Sequence, residues 1–297
     1  MTAIKIPEIC AIVVTWNPSV DIDNNLKQLL DVCRHVIIVD NGSPDAYWKT
    51  IEHLGSNPQI TIIKNATNTG IAGALNQGIS KAMEQGYQWG LTMDQDSLIT
   101  HECVHALWTS CLSCGEPDKI AIITPVYRDP ATQRLIRSKN CNSETAYVEI
   151  IANMTSGNLV RLAAIQQVGM FRKDLFIDYV DYEICLRLRK QGYKIIQACQ
   201  AVMDHQLGQT TRVAIVGQVF FPTNHSPLRR YYIARNRLVL YKNYWKDEPL
   251  FLIKDGIRFL GELMKIIFFE QNKSEKIAKT LKGIHHGICG KMGIYEP

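Results

Sequence analysis

The sequence predicts an α/β fold, a mostly parallel central sheet flanked by helices, followed by a C-terminal helical segment. Three observations carry that expectation. Short apolar runs rich in β-branched residues alternate with stretches of helical period through the first hundred residues. Polar side chains gather just after each apolar run. The charge also changes sign late in the chain. Residues 225–297 hold 14 Lys/Arg against 7 Asp/Glu, a local +7, while the remainder holds 19 against 21, a local −2. The two prolines of "FPTNHSPLRR" and this shift set an expected boundary near residue 225, giving an α/β domain over 1–225 and a basic helical region over 226–297.

The elements follow in order. "ICAIVVT" (9–15) is apolar and β-branched, as a strand buried on both faces should be. Pro18 and Ser19 open a helical stretch from Val20 to Cys33. "HVIIVDNGS" reads as a second buried strand ending in a turn, and "ITIIK" (60–64) as a third. "NTGIAGALNQGISKAMEQG" is a loop feeding a helix that Gly86 stops. "WGLTMD" is a fourth strand, and "AVMDHQLGQTT" closes a later one. Strand–helix alternation of this kind builds a parallel sheet, whose ligands bind beyond the carboxyl ends of the strands.

Composition adds limits. A chain of 297 residues, 46% hydrophobic and 21% charged, can bury one large core or two small ones. Nine cysteines without a framework spacing read as reduced thiols of a cytosolic protein. "MTAIKIPEIC" lacks the apolar run of a signal peptide, and no stretch reaches 18 uncharged apolar residues.

The polar strand ends are Thr15 and Asn17, then Asp40 and Asn41, then Asn68 and Gly70, then Asp94 and Asp96. One such end is a turn or a helix cap. Four together describe a shared polar cleft. Gly70, Gly73 and Gly78 do not match G-x-G-x-x-G, and no G-x-x-x-x-G-K-[ST] occurs, so neither a dinucleotide fold nor a P-loop is supported. Asp94 and Asp96 flank Gln95, and in extended backbone both carboxylates point the same way. Two hard oxygen ligands at a strand end suit Mg2+ or Mn2+, with phosphate and water completing the shell. The plainer reading of Asp96-Ser97 is a cap for the helix that follows, which leaves Asp94 unexplained.

"VVTWNP", "VIIVDNGS", "NTGIAGALNQGI" and "TMDQDS", in that order, resemble family 2 glycosyltransferases of the GT-A fold, and "SGNLVRLAAIQQVGMFRKDLFIDYVDYEICLRLRKQGY" resembles their acceptor half. "MDQDS", "FIDYVDYE" and "YYIARNRLVLYKNY" are most similar to bacterial L-rhamnosyltransferases of surface-polysaccharide (O-antigen) assembly. The resemblance covers roughly residues 9 to 245. It implies inverting, metal-dependent transfer of a sugar, here L-rhamnose from dTDP-L-rhamnose, to a lipid-linked glycan. It places Thr15, Asn17, Asp40 and Asn68 on the nucleoside side of a donor pocket that also takes in Asn41, Gly70, Asn76 and Gln95. Asp94 and Asp96 become the D-x-D motif that grips metal and diphosphate, and His205 falls where the family often has a third metal ligand. Hydrogen bonding alone is the other reading of that histidine. The family's acidic pair is here Val180-Asp181, so Asp181 is the implied base, with Asp178 and Glu183 as rivals because the first acid of the pair is missing. The chemistry asks for such a group, since a carboxylate must take the acceptor's proton as its oxygen attacks. Arg235 of "YYIARN" is either a bidentate diphosphate ligand or part of a basic helix.

Two other functions have one feature each. "HECVH" (101–105) matches the zinc-hydrolase pattern H-E-x-x-H, with Cys111 and Cys114 following. The basic tail would suit a nucleic-acid binder, but it carries no recognition motif, so no nucleic-acid partner is expected. The tail's own pattern is different. Ile253, Ile257, Leu260, Met264 and Ile267 form one helical stripe with Lys254, Arg258 and Lys265 off it, and Lys273, Lys276, Lys279 and Lys282 recur every third residue. Such a stripe lies on a bilayer, packs on the catalytic domain, or makes a homodimer. With a lipid-linked acceptor, the expected location is cytoplasmic, peripheral on the inner face of the bacterial plasma membrane.

Overall fold

The computed structural model describes residues 6–19, 22–130, 132–205 and 222–296, and the backbone of 213–215 and 218–220. The chain divides into two compact units, Met1–Lys173 with Ile184–Gln206, and Asp174–Glu183 with Leu207–Pro297. The change therefore comes before residue 225. The second unit also takes ten residues out of the middle of the first.

The first unit opens with β1 (Ile9–Thr15), α1 (Ile22–Val32), β2 (His35–Asp40), α2 (Asp45–Glu52), β3 (Ile60–Lys64), α3 (Gly70–Glu84) and β4 (Trp89–Asp94). These four strands run parallel in the order β3-β2-β1-β4. The apolar runs of β1, β2 and β4 are buried because helices cover both faces, with Cys10, Ala11 and Ile12 completely inaccessible, while the edge strand β3 is half-buried. Then come α4 (His101–Leu112), β5 (Ile120–Arg128), β6 (Leu135–Ile136), β7 (Tyr147–Ile150), β8 (Asn158–Arg161), α5 (Leu162–Gln167), α6 (Val180–Lys190) and β9 (Lys194–Asp204). Among the described residues the sheet has nine strands. It is mixed, because the short β8 enters antiparallel between β4 and β5. β9 runs parallel to β5, and β7 closes the edge antiparallel to β9. The first turn of α6 counts with the second unit and the rest with the first.

One expectation fails here. Cys141 and Cys199 form a disulfide, their Cα atoms 5.3 Å apart, so the nine thiols are not all reduced. The fold itself brings them together, in a small apolar cluster with Val126 and Val148 where β9 meets the loop before β7.

The second unit contains a hairpin of β10 (Val213–Ile215) and β11 (Gln218–Phe220), then α7 (Pro227–Tyr244), α8 (Pro249–Phe269) and α9 (Lys273–Cys289). Ser226 caps α7 by accepting a hydrogen bond from the Arg229 amide, and Pro227 supplies the preset first turn. α9 lies directly on α7 because it carries Gly283, where a Cβ would stand 2.3 Å from the carbonyl oxygen of Tyr231. α7 is buried continuously from Arg230 to Arg237, three arginines included. Two of the three meet carboxylates: Arg237 Nε lies 2.8 Å from Asp255 Oδ2, and Glu270 joins Arg230 at 2.7 Å and Lys276 at 2.8 Å.

This pairing corrects the reading of the lysine run. Lys276 is buried against Glu270, and Lys279 and Lys282 both donate to the hydroxyl of Tyr295. The apolar stripe of α8, in contrast, is in the open: Ile253, Ile257, Leu260, Met264 and Ile267 are all exposed, Ile257 by 65%. The buried side of α8 is Leu252, Asp255 and Ile266. Among the described residues no helix is long and apolar enough to cross a membrane.

Candidate active site

The loops at the carboxyl ends of β1, β2 and β3 are tied to one another by side chains. Asp40 is fully buried and accepts from Thr15 Oγ1 at 3.2 Å, Ser43 Oγ at 2.6 Å and the Ser43 amide at 3.0 Å. Ser43 Oγ in turn accepts from the Asn17 amide at 2.9 Å. Asn41 joins the loops after β2 and β3. Its Oδ1 accepts from the Thr69 amide and hydroxyl, both at 2.9 Å, and its Nδ2 donates to Asn68 Oδ1 at 3.1 Å and the Gly70 carbonyl at 3.2 Å. Gly42 permits the close approach: with φ +81° it sits where a Cβ would lie 2.5 Å from the backbone of Thr67. Asn17, itself left-handed at φ 51°, keeps a buried Oδ1 with no protein partner. Such an atom is costly unless something else hydrogen-bonds to it.

The carboxylate pair is presented by a turn. Asp94 is the last residue of β4, paired with Val14, and β8 has stopped pairing two residues earlier at Thr92. With no ladder left to hold it straight, the chain turns, and the Ser97 amide donates to the Asp94 carbonyl at 3.3 Å. The expected extended arrangement of Asp94 and Asp96 is thereby corrected. Gln95 holds the turn in place, accepting from the Trp16 amide at 2.9 Å through its side chain and from Asn25 through its carbonyl at 2.9 Å.

His205 stands beside this turn. Its Nδ1 is 2.8 Å from Ser97 Oγ, Ser97 is 2.9 Å from Ser156 Oγ, and Ser156 Oγ accepts from the Asp94 amide at 3.1 Å. The imidazole is thus wired to the first aspartate through two hydroxyls. In the tautomer in which Nδ1 donates to Ser97, Nε2 is left as a lone-pair donor, the form a metal takes. Asp204, next to it, is gripped by Arg128, whose guanidinium hydrogen bonds hold that carboxyl below its usual range.

In the second unit the segment before α6 is strained. Phe176, Asp178 and Tyr179 adopt φ of 65°, 62° and 65°, the left-handed region that costs a non-glycine residue roughly 1–2 kcal/mol. Asp178 is held by Arg229 at 2.6 and 3.2 Å. Glu183 is buried and accepts from the Tyr244 hydroxyl at 2.8 Å. Asp181 lies in the first turn of α6, half-buried, its Oδ1 2.9 Å from the Tyr182 amide.

Two expected donor contacts are corrected. Arg235 is completely buried, its guanidinium spent on the carbonyls of Gly293, Asp174 and Leu175 and on Asn236 Oδ1, so it has nothing to offer a diphosphate. Asn76 exchanges two hydrogen bonds with the backbone of Phe171, both 2.9 Å, and locks α3 in place. The "HECVH" helix, α4, is an ordinary core helix. Thr100 caps it, and Cys103, Val104 and Leu107 face inward. Burial pushes Cys103 up to about 12 and Cys111 up to about 11, which leaves both as inert thiols. Sequence reasoning missed Ser97, Ser156 and Trp16. Trp16 is 54% exposed at the end of β1, and the signal was visible as one large ring inside the polar run "TWNP".

The family profile Glycosyl transferase family 2 matches residues 10–179. The chain belongs to that family. This glycosyltransferase is 32% identical to the dTDP-rhamnosyl transferase RfbF of Shigella flexneri, over 96% of this chain and 97% of that one. Among solved structures it is similar to GalNAc-T7 with UDP, GalNAc and Mn2+ (TM-score 0.60, 11% identity), covering 83% of this chain and 49% of that one. The glycosyltransferase thus spans about half the length of that relative. It is also similar to a mannosyltransferase of Pyrobaculum calidifontis in complex with GDP-Man and Mn2+ (0.57, 15%), over 95% and 75% of the two chains. Residues 1–349 of S. aureus TarS give 0.60 and 12%, over 95% and 81%. At these identities the likeness shows the fold, the GT-A fold expected from the sequence.

Proposed function

We propose that this glycosyltransferase moves L-rhamnose from dTDP-L-rhamnose to a hydroxyl of a lipid-linked glycan, with inversion and with a divalent metal. The observation that carries the reading is the turn at the end of β4, with Asp94 and Asp96 on it and His205 wired to it through Ser97 and Ser156. The 32% identity to a dTDP-rhamnosyl transferase supports the sugar and the nucleotide.

The donor set fits Mg2+ or Mn2+. Two carboxylates and an imidazole are the right ligands, and among the described residues no three such side chains already converge. When bound, the metal would neutralise charge building on the leaving diphosphate. Asp94, Asp96 and His205 would hold it. Asn17, Asn68 and Gly70 would line the nucleoside side, and Trp16 offers a face for the base. Thr15, Asp40, Asn41 and Gln95 shape the loops that present these groups. Asp181 takes the proton from the acceptor hydroxyl. Asp178 is held by Arg229, and Glu183 accepts from the Tyr244 hydroxyl.

The exposed stripe of α8 supports contact with a bilayer carrying the acceptor, on the cytoplasmic face of the membrane. Turnover of dTDP-L-rhamnose against a lipid-linked acceptor in vesicles tests the whole reading. Asp94→Asn or Asp96→Asn should weaken Mn2+-dependent donor binding in calorimetry. Asp181→Asn should keep it and lose about 10²–10⁴-fold in kcat, the usual contribution of a positioned base. Normal turnover by Asp181→Asn, or full activity of the aspartate variants in EDTA, would reject the assignments. Ile257→Asp with Leu260→Asp should abolish vesicle flotation. If sedimentation shows them splitting a dimer instead, α8 is a subunit interface.

A further inference from the structure

We propose that Asn236 is a positioning residue for sugar transfer: its amide holds the left-handed segment before α6 and so fixes where Asp181 stands. The inference rests on the reading of Asp181 as the base.

Three carbonyls of a four-residue stretch converge on one nitrogen. Asn236 Nδ2 lies 2.9 Å from the Leu175 oxygen, 2.8 Å from that of Ile177 and 2.8 Å from that of Asp178. An amide has only two hydrogens, so they are shared among the three. The other end of the amide is also fixed, because Oδ1 accepts from Arg235 Nε at 2.9 Å. Arg235 extends the grip backward to the carbonyls of Asp174 and Leu175. Arg229 takes the carboxylate of Asp178, and Asp255 accepts from the Tyr179 hydroxyl at 2.9 Å. Every residue from 174 to 179 except Phe176 is therefore held by a polar bond from α7 or α8, and Phe176 stacks on Tyr232 of α7.

These bonds act where the backbone needs them. Phe176, Asp178 and Tyr179 have positive φ, which side-chain-bearing residues leave when nothing opposes it. Val180 begins α6, and Asp181 is its second residue. Any relaxation of Asp178 or Tyr179 swings the start of that helix and the carboxylate with it. Asn236 is completely buried, and a residue there only to fill space would be apolar. Its polar atoms are explained by the segment they hold.

The test is Asn236→Asp in the full-length enzyme, which keeps size and removes the donating NH2. We expect kcat to fall about 10²-fold, the loss that follows a displacement of about 1 Å, with donor affinity unchanged. The stoichiometry of calorimetric donor titration counts folded enzyme, so misfolding does not mimic the effect. In an Asp181→Asn background the same change should cost little more, because both act through one carboxylate. If Asn236→Asp does not fold, Arg229→Gln, on a partly exposed side chain, should give the same pattern at about tenfold. Unchanged kcat, a parallel loss of donor affinity, or losses that multiply in the double variant would each overturn the proposal. Normal turnover by Asp181→Asn alone marks failure of the base assignment, is visible without Asn236, and removes the proposal with it.

Discussion

The loops at the sheet's carboxyl end and the segment before α6 both carry groups proposed for the site, and they are held by different means. In the loops, neighbours hold neighbours through mostly neutral groups: Asn41 to Thr69 and Asn68, Ser97 to Ser156. The sheet sets the positions, and the side chains only join adjacent turns. The segment 174–179 has no ladder of its own. It is held from distant helices, by the amide of Asn236 and by charge: Arg235 on its carbonyls, Arg229 on Asp178, and Asp255 receiving Tyr179, Tyr241 and Arg237 together. A conformation the backbone would not choose needs stronger restraints than a turn at a strand end.

That contrast can be broken. Asp255→Ala should have the largest effect, because it takes from the buried Arg237 its nearest carboxylate, leaving Glu262 at 3.6 Å, and frees two tyrosine hydroxyls; a loss of about 3–5 kcal/mol is expected in urea unfolding. Asn41→Ala should cost less, about 1–3 kcal/mol, since the groups it leaves are neutral and its loops are already placed by β2 and β3. If the two losses were equal, charge would not be what distinguishes the regions.

The smallest effect is a pH dependence in the second unit. Burial, then the adjacent Arg229, lowers His225 to about 4. The unfolded imidazole protonates near 6.5, so the unfolded state binds the extra proton first. Stability from this group is full above about pH 6.5 and is lost as pH falls toward 4, by roughly 1–2 kcal/mol after allowance for partial solvent access. His225→Gln should flatten that part of the curve. An unchanged slope would place the acid sensitivity elsewhere.

The sequence showed one region far better than the other. Strand ends are local patterns: "VVTWN", "VDNGS" and "TMDQDS" put polar groups a residue or two past an apolar run, and the structure places them at the carboxyl end of three adjacent parallel strands. The turn at Gln95 was not legible, because it depends on where β8 stops pairing with β4. The link from Asp94 to His205 passes between residues 59 and 108 positions apart, and no spacing rule reaches so far. Arg235 was misread for the same reason. "RN" in a basic helix looks solvated until the carbonyls it serves, about sixty residues earlier, are seen. The Cys141–Cys199 pair, 58 residues apart, was hidden likewise.

α8 is attached by the side that holds Asp255 and turns Ile257, Leu260 and Met264 toward solvent. In water this arrangement leaves apolar area uncovered, so the helix gains least from the medium in which the protein is usually handled. Anything that covers the stripe without disturbing Asp255 binds the folded state in preference to the unfolded one. Its stabilisation then grows with the logarithm of its concentration. The thermal midpoint of this chain is therefore a property of the chain and its surfactant together. A mild detergent should raise it, where for most globular domains the same additive does nothing or harm.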